Sequence, residues 1–206
     1  MSKRTIDLIR HGEPVGGRKI RGQTDDPLSE TGWRQMRQAL SVKPGWSFVA
    51  ASPLSRCRAF GEEIAAACGK PLLLEPRLQE IGFGPWEGKL HDEIAAEDPE
   101  RWMRFRREPA KYRPVGAEPL DEFFRRVIGG FTELYARHPG DGLVVTHAGV
   151  IRALICWVLN APADYLFRVD VPYAGITRLG LTEIDGVVTA RLVSHAWARL
   201  EDDLIY

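Results

Sequence analysis

The sequence predicts an α/β protein, a three-layer α/β/α arrangement with a mostly parallel central sheet. Three observations carry that prediction. Strand-like and helix-like segments alternate from end to end, the order that builds a parallel sheet covered by helices. Short apolar runs stop abruptly at polar residues, as buried strands do: Leu8-Ile9 at Arg10-His11, Phe48-Val49-Ala50-Ala51 at Ser52, and Leu143-Val144-Val145 at Thr146-His147. Finally, Leu120, Phe123, Phe124, Val127, Ile128, Phe131, Leu134 and Tyr135 repeat with helical period and form one continuous apolar face.

The elements follow in order. Residues 5–10 read as the first strand, and 13–28 as a long loop rich in Gly and Asp. Residues 29–40 suit a helix with Ser29 as its cap. A second strand spans 48–52, and a helix over 55–68 ends at Gly69, a C-cap signal. Residues 71–74 form a short strand. The stretch 75–118 mixes Pro, Gly, charges and aromatics, and reads as a lid-like insertion of short helices. The amphipathic helix covers 120–137, a strand covers 142–146, and a nearly all-apolar helix covers 150–159. Residues 175–181 and 187–193 read as a hairpin around Asp185-Gly186.

Composition bounds the function. A chain of 206 residues suits one domain, 1–206, including the insertion. Lys plus Arg equals Asp plus Glu, at 28 each, so no basic excess points to nucleic acid or a membrane surface. Cys57, Cys68 and Cys156 have neither disulfide-framework nor zinc spacing. None is followed at the sixth position by the Arg of a Cys-x5-Arg phosphatase motif; those positions hold Glu63, Leu74 and Pro162. No apolar run approaches a membrane span, and no signal-peptide core is evident, so a cytoplasmic location is expected.

The strand ends carry the chemistry. Ligands of open α/β sheets bind beyond the carboxyl ends of the strands. Here those ends bring Arg10, His11, Arg56 and His147, groups that hold phosphate and accept a phosphoryl group. His91, His138 and His195 lack such a setting and read as structural or exposed.

Four motifs also resemble one family. Leu-Ile-Arg-His-Gly-Glu at 8–13, Ser-Pro-Leu-Ser-Arg at 52–56, Glu80 ahead of Phe-Gly-Pro-Trp-Glu-Gly at 83–88, and Thr-His-Ala-Gly at 146–149 are similar to the histidine phosphatase (phosphoglycerate mutase-like) superfamily. The resemblance covers roughly the whole chain. It implies a phosphoglycerate mutase-like fold, with His11 as a nucleophile forming phosphohistidine and Arg10, Arg56 and His147 holding phosphate oxygens. It implies Glu80 as general acid and then base, with His11 and His147 counted as catalytic beside it. It further implies that no metal and no cofactor is needed. Glu87 is the competing carboxylate. Arg21-Gly22-Gln23-Thr24-Asp25 resembles the family's substrate-contacting loop, so Arg21 and Gly22 are candidate substrate-binding residues. Many members carry Asn six residues after the nucleophile; this chain has Gly17, and Arg21 is placed to compensate. The Gly-Glu-Ser pattern of the later lid is replaced by Gly116-Ala117-Glu118-Pro119.

The runs at 80–88 and 21–28 look most like α-ribazole phosphatases, a resemblance that implies hydrolysis of a small phosphomonoester, with a nucleoside-like ester such as α-ribazole phosphate first among the candidates. Phe83, Trp86 and Trp102 are then candidates to face the leaving group, and few spare cations are expected beyond the phosphate cage. The expected partner is that small molecule, with no nucleic acid and no membrane; oligomeric state stays open, a homodimer among the options. Two alternatives stand beside this reading: a phosphoglycerate mutase-type transfer, and a phosphate-binding module without catalysis.

Overall fold

A computed structural model of the chain describes residues 3–40, 45–184 and 187–196. Six strands form one sheet: β1 Lys3–Arg10, β2 Phe48–Ala51, β3 Leu72–Leu74, β4 Gly142–Thr146, β5 Ile176–Ile184 and β6 Val187–Ser194. Their order across the sheet is β3-β2-β4-β1-β5-β6. The first four are mutually parallel, while β5 runs antiparallel to β1 and β6 antiparallel to β5. The predicted α/β class therefore holds, with an antiparallel hairpin added to one edge. The turn expected at Asp185-Gly186 lies outside the described residues.

The side-chain alternation of the strands explains why helices cover both faces. Ile6, Leu8, Phe48, Ala50, Val144, Leu179 and Leu181 point to one face. There they meet α5 (Leu120–Arg137) through Phe123, Val127 and Phe131, and α6 (Ala148–Val158) through Ile151 and Leu154. Ile9, Val49, Ala51, Leu143, Val145 and Ile176 point to the other face, against Met36 of α1 (Glu30–Ala39) and Cys57 and Phe60 of α2 (Ser55–Ala67).

Local signals set the helix ends. Ser29 Oγ accepts the Gly32 N–H at 3.0 Å, the expected cap of α1. Gly69, at φ +65°, ends α2 in the left-handed conformation that glycine adopts without strain. The helix expected over 150–159 begins earlier, at Ala148, because His147 occupies the cap position in extended geometry, φ −121° and ψ 163°. Starting there brings the Gly149 amide into the first turn, where it faces the site.

The insertion forms two short 3₁₀ turns, Pro76–Leu78 and Gly84–Trp86, then α3 (His91–Glu97) and α4 (Pro99–Arg107). Asp98 caps α4, accepting the Arg101 N–H at 2.9 Å, and Pro99 takes the first helical position. These elements have a small core of their own: Ile20, Trp86, Ile94 and Phe105, with Phe83, Trp102, Tyr112 and Phe167 packed around them. Among the described residues, no helix is long and apolar enough to cross a membrane.

Candidate functional site

The register of β1 against β4 pairs Arg10 with Thr146. The next residues, His11 and His147, therefore leave the sheet together at its carboxyl end, with the His11 N–H donating to the Thr146 carbonyl at 2.9 Å. Their rings lie 5.2 Å apart, centroid to centroid, edge toward face at 65°. β2 ends beside them, so Ser52 is also present: its Oγ lies 2.8 Å from His147 Nε2.

The His11 tautomer follows from one contact. Nδ1 sits 2.8 Å from the Gly12 carbonyl. A carbonyl only accepts, so the neutral ring carries its hydrogen on Nδ1 and leaves a lone pair on Nε2. Burial, then the cations Arg10 and Arg56, hold His11 well below its ordinary pKa of 6.5. Burial and Arg56 do the same to His147. Both imidazoles are therefore neutral at neutral pH.

Two guanidinium groups frame the pair. Arg10 donates through Nη1 to the Val171 carbonyl at 2.6 Å, and its Cζ lies 4.0 Å from the Tyr173 ring centroid. Arg56 enters from the first turn of α2 and is 1% exposed. It donates to the Thr24 carbonyl at 2.7 Å and the Gly22 carbonyl at 2.9 Å. The Nε atoms of both Arg10 and Arg56 are buried with no partner among the described residues.

The two carboxylates separate cleanly. Glu87 accepts four bonds at 2.8–3.2 Å: from the amides of Gln23, Phe83 and Thr24 and from the Thr24 hydroxyl. It ties the 22–24 loop to the lid. Glu80 has lighter work: among the described residues it accepts the Ile81 and Gly149 amides, at 3.0 and 3.2 Å. Its field reaches Arg10, which places it on the rim of the same site.

The loop residues play a different part from the one expected. Arg21 spends its guanidinium inside its own loop, on the carbonyls of Val15 (2.9 Å) and Gly17 (2.6 Å) and on Asp26 (3.1 Å). Gly22 presents its carbonyl to Arg56, at φ +54°, with the Glu87 carboxylate packed where a side chain would begin. Both shape the loop that holds Arg56. Gly12 likewise makes room for protein: a Cβ there would stand 2.2 Å from the Gly32 carbonyl oxygen of α1.

With this geometry in place, comparison with known proteins is decisive. A profile for the histidine phosphatase superfamily (branch 1) matches residues 6–193. The chain belongs to that superfamily. It is 35% identical over 189 residues to phosphoserine phosphatase 1 of Hydrogenobacter thermophilus, covering 88% of each chain. It is 32% identical over 214 residues to a probable phosphoglycerate mutase of Cronobacter sakazakii, covering 97% of this chain and 98% of that one. A bifunctional protein of Mycobacterium tuberculosis is 32% identical over 197 residues; this chain spans 53% of that protein's length. Among solved structures, a mycobacterial glucosyl-3-phosphoglycerate phosphatase superposes with a TM-score of 0.84 at 25% identity, covering 95% of this chain and 99% of that one. The α-ribazole phosphatase of Shigella flexneri gives 0.76 at 24% identity, covering 91% and 95%, a likeness of fold.

Several groups around the site of this member of the histidine phosphatase superfamily stand apart from its predicted site residues. Ser52 opens the Ser-Pro-Leu-Ser-Arg motif that ends at Arg56, and it reaches His147. Tyr173, which stacks on Arg10, comes from an irregular segment with no sequence signal. Arg152 of α6 donates to the Val169 carbonyl at 2.8 Å and feels the field of Glu80. Arg113 of the lid donates to the Gly82 carbonyl at 2.7 Å. The expectation of few spare cations is therefore corrected: two more guanidiniums stand within the field of Glu80. Trp86 is buried and, with Trp102 and Phe105, forms the lid's own aromatic core, with centroids 4.9–5.8 Å apart. That packing accounts for both tryptophans without a ligand.

Proposed function

We propose that this chain is a phosphomonoesterase that works without a metal, through a phosphohistidine on His11. The observation that carries the reading is the state of His11: a neutral ring, fixed by Gly12, with its Nε2 lone pair free between two guanidinium groups. Nε2 attacks phosphorus and the bond to the leaving oxygen breaks. Glu80 gives that oxygen its proton. Water then attacks the phosphohistidine, Glu80 takes a proton from it, and inorganic phosphate departs with His11 restored. Arg10, Arg56 and His147 hold the equatorial oxygens, where charge neutralisation and positioning do most of the work. Arg21 and Gly22 act on substrate through the loop they hold. Residues 1–206 are read as one domain, with 75–118 as its lid.

A second reading, phosphoryl transfer within phosphoglycerate, is favoured by the likeness to a probable phosphoglycerate mutase. One experiment separates the two. The protein is incubated with a panel of phosphomonoesters that includes α-ribazole phosphate, O-phosphoserine and 3-phosphoglycerate, with and without EDTA. Phosphate release is followed, together with isomerisation of 3-phosphoglycerate in the presence of 2,3-bisphosphoglycerate. Hydrolysis insensitive to EDTA, with an acid-labile phosphoenzyme lost in His11→Ala, is expected. Isomerisation faster than hydrolysis moves the chain to the mutases, and turnover by His11→Ala sinks the phosphohistidine mechanism.

A further inference from the structure

We infer that His195 is a positioning residue for Arg10: from the end of the edge strand it fixes the Asp170–Val171 backbone that aims the Arg10 guanidinium at phosphate. The inference rests on the reading above, in which Arg10 holds a phosphate oxygen.

A bulge at the end of β6 gives His195 its place. Pairing with β5 sets Leu192 opposite Leu179 but Ser194 opposite Arg178, so Val193 is an extra residue. Bulges re-aim the side chains around them. Here the shift brings His195 level with Thr177, and its Nδ1 lies 2.9 Å from the Oγ1 of that buried threonine. The other ring nitrogen, Nε2, lies 2.7 Å from the Asp170 carbonyl. A carbonyl only accepts, so Nε2 carries a hydrogen and donates it there.

Residues 169–175 contain no helix or strand, so their path depends on what grips them. Three side chains hold three successive carbonyls: Arg152 donates to Val169 at 2.8 Å, His195 to Asp170, and Arg10 to Val171 at 2.6 Å. Val171 is 1% exposed and precedes Pro172, which confines its backbone to extended geometry. A tether on the Asp170 carbonyl therefore reaches the next carbonyl with little slack. Among the described residues, the Val171 carbonyl is the one hydrogen-bond acceptor of the Arg10 guanidinium. The same segment carries Tyr173, whose ring centroid lies 4.0 Å from Arg10 Cζ and 6.0 Å from that of His11. It thus supplies both the acceptor and the ring that orient Arg10, and His195 holds it in place.

The test separates the two edges of the ring. His195→Gln keeps a donor near the Nε2 position, whereas His195→Asn keeps the Thr177 contact but is too short to reach Asp170. On p-nitrophenyl phosphate, His195→Asn is expected to lose about tenfold in kcat/KM, as displacement of a site group from a distance does. Its inhibition by vanadate, which reads the phosphate cage directly, should weaken in parallel. His195→Gln should stay within about twofold of the wild type, since it retains the donated bond. A double-mutant cycle with Arg10→Ala then shows whether the effect runs through Arg10: in that background His195→Asn should cost less than about twofold more, because residues acting as one unit are not additive. Circular dichroism checks that each variant folds. Pro172→Ala loosens Val171 without touching His195, and is expected to reproduce both the loss and the non-additivity should His195→Asn not fold. A loss of the same factor in both backgrounds marks His195 as merely structural and overturns the proposal. So does a His195→Asn enzyme with wild-type kcat/KM and vanadate inhibition, or a His195→Gln enzyme as impaired as His195→Asn. Failure of the phosphatase reading looks different: the wild type then hydrolyses no ester and traps no phosphate on His11, and this inference falls with it.

Discussion

Glu80 rests on the backbone of Gly149. Its Oε2 accepts the Gly149 amide at 3.2 Å, and a Cβ at that position would stand 2.3 Å from Oε1. The glycine that opens α6 thus sets where the proposed proton donor lies. Gly149→Ala must push the carboxylate aside, and displacement of a catalytic group by about 1 Å costs on the order of 10²-fold in rate. The loss should fall on alkyl phosphates and spare p-nitrophenyl phosphate, whose leaving group needs no proton. Equal losses on both esters would show that the glycine does not act through Glu80.

Glu80→Gln should give the same leaving-group signature more strongly. Glu87→Gln should not. Its four accepted bonds anchor the 22–24 loop to the lid, and the amide's NH₂ would face donors. Leaving such groups unsatisfied costs about 1–3 kcal/mol. The expected outcome is a lower urea midpoint with a leaving-group dependence like the wild type's. A Glu87→Gln enzyme that fails on alkyl phosphates alone would reverse the assignment of the two carboxylates.

The sheet and the candidate site were legible for a physical reason. Buried strands are short apolar runs, and the runs of β1, β2 and β4 end at residues of the candidate site, so one pattern marks both. Arg10, His11 and His147 are adjacent in sequence to the strands that place them. Arg113 and Tyr173 are not: each reaches the site from an irregular segment whose path depends on tertiary packing. The start of α6 was misplaced because Ala148-Gly149 reads as a turn until His147 is seen to cap the helix. Short α4 carried a readable signal, Asp98-Pro99, but too few periodic residues to frame it. Arg21 is a substrate candidate only through its loop's resemblance to the family's substrate-contacting loop, whereas its guanidinium bonds to the carbonyls of that same loop.

Arg56 has two tasks, and its variants should show both. It aims a guanidinium at the site and holds the carbonyls of Gly22 and Thr24. Removing a donor that stabilises transition-state charge costs about 10²–10³ in kcat. Arg56→Ala should lose at least that much. Arg56→Lys should rescue little, since an ammonium cannot serve two carbonyls and a phosphate with the planar geometry of a guanidinium. Stepwise proteolysis should also cut the 15–26 loop faster in both variants. Near-normal kcat in Arg56→Lys would mean that charge alone suffices.

Stability should fall in mild acid because of the two buried histidines. Both are neutral in the folded protein, with pKa values held well below 6.5 by burial and by neighbouring cations. In the unfolded chain they protonate near pH 6.5. As pH falls through that value the unfolded state binds protons that the folded state refuses, so the contribution is complete above about 6.5 and is lost below it. Each group contributes up to about 1.4 kcal/mol per pH unit between its two pKa values. Between pH 7.5 and 5.5 the pair should remove about 2.7 kcal/mol. The depressed carboxylates Asp26, Glu63 and Glu75 act only at lower pH, below about 4. His91 shifts in the same direction. Urea unfolding at the two pH values measures the difference, and His11→Gln should cut it by roughly 1.4 kcal/mol. A midpoint that does not move between pH 7.5 and 5.5 would show that the folded protein takes up protons on these rings as readily as the unfolded chain does, so that burial and the neighbouring cations do not hold them neutral.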